Sequence, residues 1–278
     1  MRQITLPDGT RVSAIGQGTW KIGEGGRTAK AEADALRLGI DLGMTLIDTA
    51  EMYGDGAAEE VVAQAIAGQR NRVYLVTKVY PQNASRTGIP AACTRSLKRL
   101  NTEFIDLYLL HWRGGVPLAE TVAAFETLRH QGKIRAWGVS NLNPADMREL
   151  LTVTAGAACA VNQVLYNPEH RGIEFDLLPW QSTHNIPVMA YSPIGQGGRL
   201  LRHPALAALA ARHSATPAQI AIAWGLRHPH IISIPKASDP AHVRSNAAAA
   251  DIVLTAQDLA TIDAGFAPPK RATSLDML

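Results

Sequence analysis

The alternation of short apolar runs with amphipathic stretches along this chain predicts an α/β protein folded as a (β/α)8 TIM barrel, with a β-hairpin ahead of the repeat. Three observations carry that reading: eight strand-like runs separated by helix-like ones, ionisable residues where several of those runs end, and no composition break between them. The strand-like runs begin near Ala14, Thr45, Val73, Ile105, Ile134, Ala160, Pro187 and Ile231. Helices are expected between them at Ala29 to Leu42, Ala57 to Ala67, Ile89 to Leu100, Leu118 to Gln131, Ala145 to Thr152, Phe175 to His184 and Pro217 to Leu226, with Ala241 to Ala249 after the last strand. Right-handed crossovers then close the sheet. The hairpin is read from Ile4 to Leu6 and Arg11 to Ser13, which flank the turn residues Pro7-Asp8-Gly9-Thr10.

At 278 residues the chain suits one barrel domain, and no linker rich in serine, glycine or charge divides it, so residues 1–278 are read as a single domain. A composition of 46% hydrophobic and 18% charged residues is that of a globular protein with ample core. The formal net charge of +3 is scattered, without the basic blocks of a nucleic-acid or membrane surface, so neither partner is expected. Cys93 and Cys159 lie in apolar or helical contexts and are read as reduced core residues. The N-terminus lacks the apolar centre of a signal peptide, and no apolar run reaches about 18 residues; a cytoplasmic, soluble protein is expected.

The chain is organised around Thr45-Leu46-Ile47-Asp48-Thr49-Ala50-Glu51-Met52-Tyr53-Gly54. A buried strand turns polar there, which puts Asp48 and Tyr53 at the edge where barrels do chemistry. Two further runs end in the same way, Val73 to Lys78 and Ile105 to His111. Singly, Asp48 and Lys78 read as a structural ion pair, Tyr53 as a loop aromatic and His111 as a satisfied histidine. Together, in this order, they resemble the catalytic tetrad of the aldo-keto reductase family. The resemblance extends from Ala14-Ile15-Gly16-Gln17-Gly18-Thr19-Trp20 through Gly138-Val139-Ser140-Asn141 and Val161-Asn162-Gln163 to Ile234-Pro235-Lys236-Ala237-Ser238.

The resemblance implies carbonyl reduction, for which no side chain supplies a hydride, so a nicotinamide cofactor is required. Tyr53 is then the acid, Lys78 lowers the cost of its anion, and Asp48 keeps Lys78 charged and oriented. His111 would hold and polarise the substrate carbonyl. Trp20, Tyr80 and Trp112 follow strand ends and are read as walls of the substrate site. The loop after His111 and the tail from Pro268 are short, which leaves an open and permissive pocket.

A Rossmann fingerprint is absent, because Gly16-Gln17-Gly18-Thr19-Trp20-Lys21 carries lysine in place of the third glycine. By the resemblance, Ser140, Asn141 and Gln163 would hold the nicotinamide carboxamide, and Tyr191 would stack on the ring. Ser192, Ile194, Gly195 and Gln196 lie in a run suited to a pyrophosphate. Lys236, Ser238, His242 and Asn246 fall where the family binds the adenosine half. Lys236 favours NADPH, whereas His242 replaces an arginine frequent in the family, so NADH remains possible.

His228-Pro229-His230 lacks a third ligand at metal spacing, and no metal site is read. No Gly-x-Ser-x-Gly elbow occurs. Two other functions compete with NADPH-dependent reduction of aldehydes and reactive ketones such as methylglyoxal: a Schiff-base lyase or aldolase using Lys78, and a non-catalytic NADPH-binding redox sensor. A monomer acting on small-molecule carbonyls is expected.

Overall fold

The computed structural model describes residues 1–278. Strands β1 (Gln3–Thr5) and β2 (Arg11–Ser13) pair antiparallel, Ile4 opposite Val12, around a turn in which Gly9 takes a φ of +87°. The barrel repeat then runs β3 (Gln17–Gly18), α1 (Ala29–Asp41), β4 (Leu46–Asp48), α2 (Ala57–Ile66), β5 (Tyr74–Val79), α3 (Gly88–Leu100), β6 (Ile105–Leu110), α4 (Leu118–His130), β7 (Ile134–Ser140) and α5 (Pro144–Thr152). It continues through β8 (Asn162–Leu165), α6 (Leu177–Thr183), β9 (Val188–Tyr191), α7 (Pro204–Arg212), α8 (Pro217–Gly225), β10 (Ile231–Ser233), α9 (Pro240–Ala248) and α10 (Ala256–Gly265).

Strands β3 to β10 form one parallel sheet in sequential order. Parallel bridges from Ile15 to Ser233 and from Gly18 to Lys236 bring its two ends together, so the sheet curls into a barrel. The seam needs glycine, because a Cβ on Gly18 would lie 2.8 Å from the Ile234 carbonyl oxygen and one on Gly16 2.6 Å from Leu46 Cδ2. At Gly18 a side chain would have to move backbone; at Gly16 it would first displace the end of Leu46.

Two buried clusters divide the strand faces. Leu46, Val76, Leu107, Leu109, Val161, Met189 and Ile232 pack inward with hairpin residues Ile4, Leu6 and Val12. The hairpin thus closes the end of the barrel where the strands begin. Ile47, Leu75, Tyr108, Leu110, Val139 and Val188 face the other way, onto helix residues such as Val62, Phe125 and Leu150. Period-two alternation carries the inward face on to Asp48, Lys78, His111, Gln163 and Tyr191. The site is therefore the place where the apolar interior gives way to polar residues at the strand ends.

Helix starts are chemically specified. Thr28 caps α1, and capping boxes open α5 (Asn143 with Asp146), α8 (Thr216 with Gln219) and α10 (Thr255 with Asp258). Proline stands in the first turn of α5, α7, α8 and α9. Helices α7 and α10 are absent from the sequence reading: α7 makes the crossover from β9 to β10 a two-helix connection, and α10 packs against it. No helix is long and apolar enough to cross a membrane.

Candidate active site

The four residues singled out in the sequence converge. Lys78 is fully buried, and its Nζ donates to Asp48 Oδ2 at 2.8 Å, to the Thr49 carbonyl at 2.8 Å and to Tyr53 Oη at 3.1 Å. Its three protons are thereby assigned, one to each acceptor. The other Asp48 oxygen accepts from Gln163 Nε2 at 2.7 Å, and Gln163 also lies 2.9 Å from Met189 Sδ. The Tyr53 and His111 rings meet edge to face with centroids 5.8 Å apart.

Tyr53 reaches this position because the chain leaves β4 in a tight turn: Tyr53 N–H donates to the Ala50 carbonyl, and Gly54, Asp55 and Gly56 follow with positive φ. Glycine at two of these three places makes the reversal sterically easy. Asn141, at the end of β7, also has a φ of +58°, a conformation that asparagine tolerates better than most residues. Its Nδ2 donates to the His111 carbonyl at 3.2 Å and its Oδ1 accepts from Tyr191 Oη at 3.0 Å.

Burial and charge set the protonation states. Burial pulls the Lys78 ammonium down, but Asp48 and Tyr53 outweigh it and hold Lys78 above the usual lysine value. Burial pushes the Asp48 carboxyl up, against the pull of Lys78 and Gln163. Both carboxylate oxygens accept from donors that bring their own protons, so the pair is ionic. Burial also pushes the Tyr53 phenol above its ordinary value, and Lys78 only partly offsets this. The resting acid is therefore protonated, and the ammonium works in the direction of the anion that forms after donation. Burial, aided by Lys78, pushes His111 down to about 2, so its imidazole is neutral. Its Nδ1 is buried without a partner. An unpaired acceptor costs less there than an unpaired N–H, which places the proton on Nε2.

The residues expected at a coenzyme lie around the same edge. Ser140 Oγ donates to the Gln163 carbonyl at 2.8 Å, tying β7 to β8. With Gln163 Nε2 engaged by Asp48, its Oε1 remains as an acceptor. Burial pushes the Tyr191 phenol up to about 12, and the Leu278 backbone nearby works against it. The tail thus folds back beside the site, where Asp276 also pairs with His170 at 2.8 Å. Ser192 and Gln196 have φ of +48° and +56°, and Gly195 and Gly197 are likewise positive, so the run through Ile194 is a series of tight turns. Within these turns the Gly195, Gly197 and Gly198 N–H groups donate to the Ser192, Ile194 and Gly195 carbonyls, so the groups open to an anion are the ones between them. Lys236 and His242 are exposed, Asn246 is buried, and Ser238 Oγ is buried without a partner, a hydroxyl available to a phosphate or ribose oxygen. These features fit a dinucleotide.

Tyr80 and Trp112 meet edge to face at 5.9 Å, and Trp112 lies 4.9 Å from the His111 ring. Trp20 is more exposed and carries Lys21 Nζ over its ring at 4.5 Å. Sequence reasoning missed the Thr49 carbonyl as the third Lys78 partner, because backbone acceptors carry no residue signature. It also missed Asn167, which is buried and donates to the Ser192 carbonyl at 2.9 Å, fixing the start of the run of tight turns.

This fold and site coincide with a family match: the model of the aldo/keto reductase family covers residues 14–265, and the chain belongs to that family. It is 50% identical to the methylglyoxal reductase YeaE of Escherichia coli strain K12, over 100% of this chain and 99% of that one. A 9,11-endoperoxide prostaglandin H2 reductase of Trypanosoma cruzi is 34% identical, with 94% of this chain and 90% of that protein covered. The crystal structure of an aldo-keto reductase from Klebsiella pneumoniae in complex with NADPH superposes with a TM-score of 0.97 at 51% identity, over 100% of both chains.

Proposed function

We propose that this chain, acting as one barrel domain over residues 1–278, reduces aldehydes and reactive ketones, methylglyoxal among them, to alcohols with NADPH. The observation that carries the reading is the Lys78 ammonium held between the Asp48 carboxylate at 2.8 Å and the Tyr53 hydroxyl at 3.1 Å, beside a neutral His111. The methylglyoxal reductase of E. coli and the NADPH complex from K. pneumoniae support the substrate class and the coenzyme.

NADPH, when bound, supplies the hydride that reaches the carbonyl carbon. Ser140, Asn141 and the Oε1 of Gln163 would hold its carboxamide, and Tyr191, bonded to Asn141, would stand against the ring. The turns from Ser192 to Gln196 would hold the pyrophosphate, and Lys236, Ser238, His242 and Asn246 the adenosine half. His111 donates Nε2–H to the substrate oxygen and aligns it with Tyr53. Tyr53 gives its proton to that oxygen as negative charge develops there, and Lys78 stabilises the tyrosinate left behind. Solvent then returns the proton. Asp48 keeps the ammonium charged through the cycle.

A nucleophilic lysine requires a free amine, whereas every Lys78 proton is engaged and its charge is favoured; this weighs against a Schiff-base enzyme. The complete tetrad weighs against a sensor without turnover. The test is NADPH oxidation with methylglyoxal and with an aromatic aldehyde, repeated with NADH: turnover faster with NADPH supports the reading, and coenzyme binding with no turnover on any carbonyl overturns it.

A further inference from the structure

We propose that Glu51 is a positioning residue that sets the aromatic substrate wall by holding the backbone of Tyr80. The β4–β5 ladder runs past the end of β4: Thr49 N–H donates to the Val76 carbonyl at 2.9 Å and Glu51 N–H to the Lys78 carbonyl at 3.3 Å. The chain then turns away to deliver Tyr53, so no backbone carbonyl follows to receive the next N–H of the β5 side. The Glu51 side chain takes that place, its Oε1 accepting from Tyr80 N–H at 2.8 Å and from Asn83 Nδ2 at 3.0 Å. Its other oxygen faces Arg95 Nη2 at 3.5 Å. A carboxylate thus extends the sheet by one rung while its own backbone departs.

The consequence is mechanical coupling of two loops. Glu51 is buried, at 7% exposure, and stands between Asp48 and Tyr53 in sequence while gripping the segment that follows Lys78. Tyr80 leads directly into the 3-10 turn Pro81–Asn83, and Asn83 N–H donates to the Tyr80 carbonyl at 3.0 Å, so one carboxylate oxygen fixes both ends of that turn. The Tyr80 ring then meets Trp112, which in turn touches His111. Without the carboxylate, the Tyr80 N–H and the Asn83 amide lose their acceptor and the wall loses its register; Lys78 keeps all three of its own partners. The expected signature is a change in recognition of bulky substrates rather than in proton transfer.

The inference rests on the proposed role of Tyr80 as a substrate wall, and the test separates the two. KM and kcat are measured for methylglyoxal and an aromatic aldehyde in the native protein, Glu51→Asp, Glu51→Gln and Tyr80→Ala. Glu51→Asp keeps the charge but shortens the reach, and is expected to raise KM for the aromatic aldehyde about tenfold, the scale of one lost charge-assisted hydrogen bond. KM for methylglyoxal is expected to move far less, and kcat for either substrate less than KM. Glu51→Gln, which keeps an acceptor at full length, is expected to restore the aromatic KM towards the native value. If Tyr80→Ala raises the aromatic KM while both Glu51 variants match the native protein, the positioning role fails and the wall stands. If Tyr80→Ala leaves that KM unchanged, the wall fails and the positioning role with it. Equal losses of kcat on both substrates in Glu51→Asp also overturn the proposal, since they would mark damage to the tetrad.

Discussion

At the scale of the residue, the protonation states make the sharpest predictions. His111 titrates at about 2 when buried, against about 6.5 in an unfolded chain, so the unfolded state takes up a proton that the native state refuses. Stability from this group is full above pH 6.5 and falls as pH drops below it, by up to about 1.4 kcal/mol per pH unit. Urea denaturation at pH 7 and pH 5 should show that His111→Gln loses less stability on acidification than the native protein. The same neutrality predicts a reductive kcat with no imidazole step between pH 5 and 8, and the raised Tyr53 phenol predicts no alkaline decline below about pH 10. A step near pH 6.5 that vanishes in His111→Gln would contradict the neutral assignment. Asp48, Lys78 and His111 were legible in the sequence because each ends an apolar run, and Tyr53 because it follows Asp48 in the order the resemblance requires; their ionisation was not, because burial depends on what the other strands bring around them.

At the scale of the element, β4 and β5 act as a unit, joined by the buried Lys78–Asp48 pair and by the ladder around it. Removing one partner strands a buried charge, so Lys78→Met should cost about 3–5 kcal/mol in urea denaturation, and Lys78→Met with Asp48→Asn should cost less. Additive losses would show that the pair is not coupled. The seam between β3 and β10 makes a second prediction: Gly18→Ala pushes a methyl against the Ile234 carbonyl and should destabilise by about 1–3 kcal/mol, measured the same way. Strand placement was readable from the short apolar runs, and α1 and α3 from their amphipathic periodicity. Helix α7, Pro204-Ala-Leu-Ala-Ala-Leu-Ala-Ala-Arg, carried a legible start in Pro204 and a buried face of Leu206, Leu209 and Ala210, and was missed because a second helix within one crossover departs from the β–α repeat. Helix α10 carried a legible start in Thr255 and Asp258, and was missed because so few of its residues are buried.

At the scale of the whole molecule, the barrel separates stability from chemistry. The hairpin and the apolar interior fill one end, and the inward positions at the other end are released to carry polar groups. The strand order was foreseeable from the eightfold repeat and the rules of parallel crossovers, whereas the path of the C-terminal tail was not: the pairing of Asp276 with His170 joins residues far apart in sequence and leaves no local pattern. A ligand that bridges the β7, β8, β9 and β10 edges should stabilise the whole barrel, and NADPH at 100 times its Kd is expected to add about 2.7 kcal/mol. The most direct measurement of the central claim is single-turnover NADPH oxidation with methylglyoxal, native protein against Tyr53→Phe, with NADPH binding followed in parallel by fluorescence. The account predicts that Tyr53→Phe binds NADPH as the native protein does and reduces methylglyoxal at least about 100-fold more slowly, the scale of a lost general acid. Reduction by Tyr53→Phe at the native rate would contradict it.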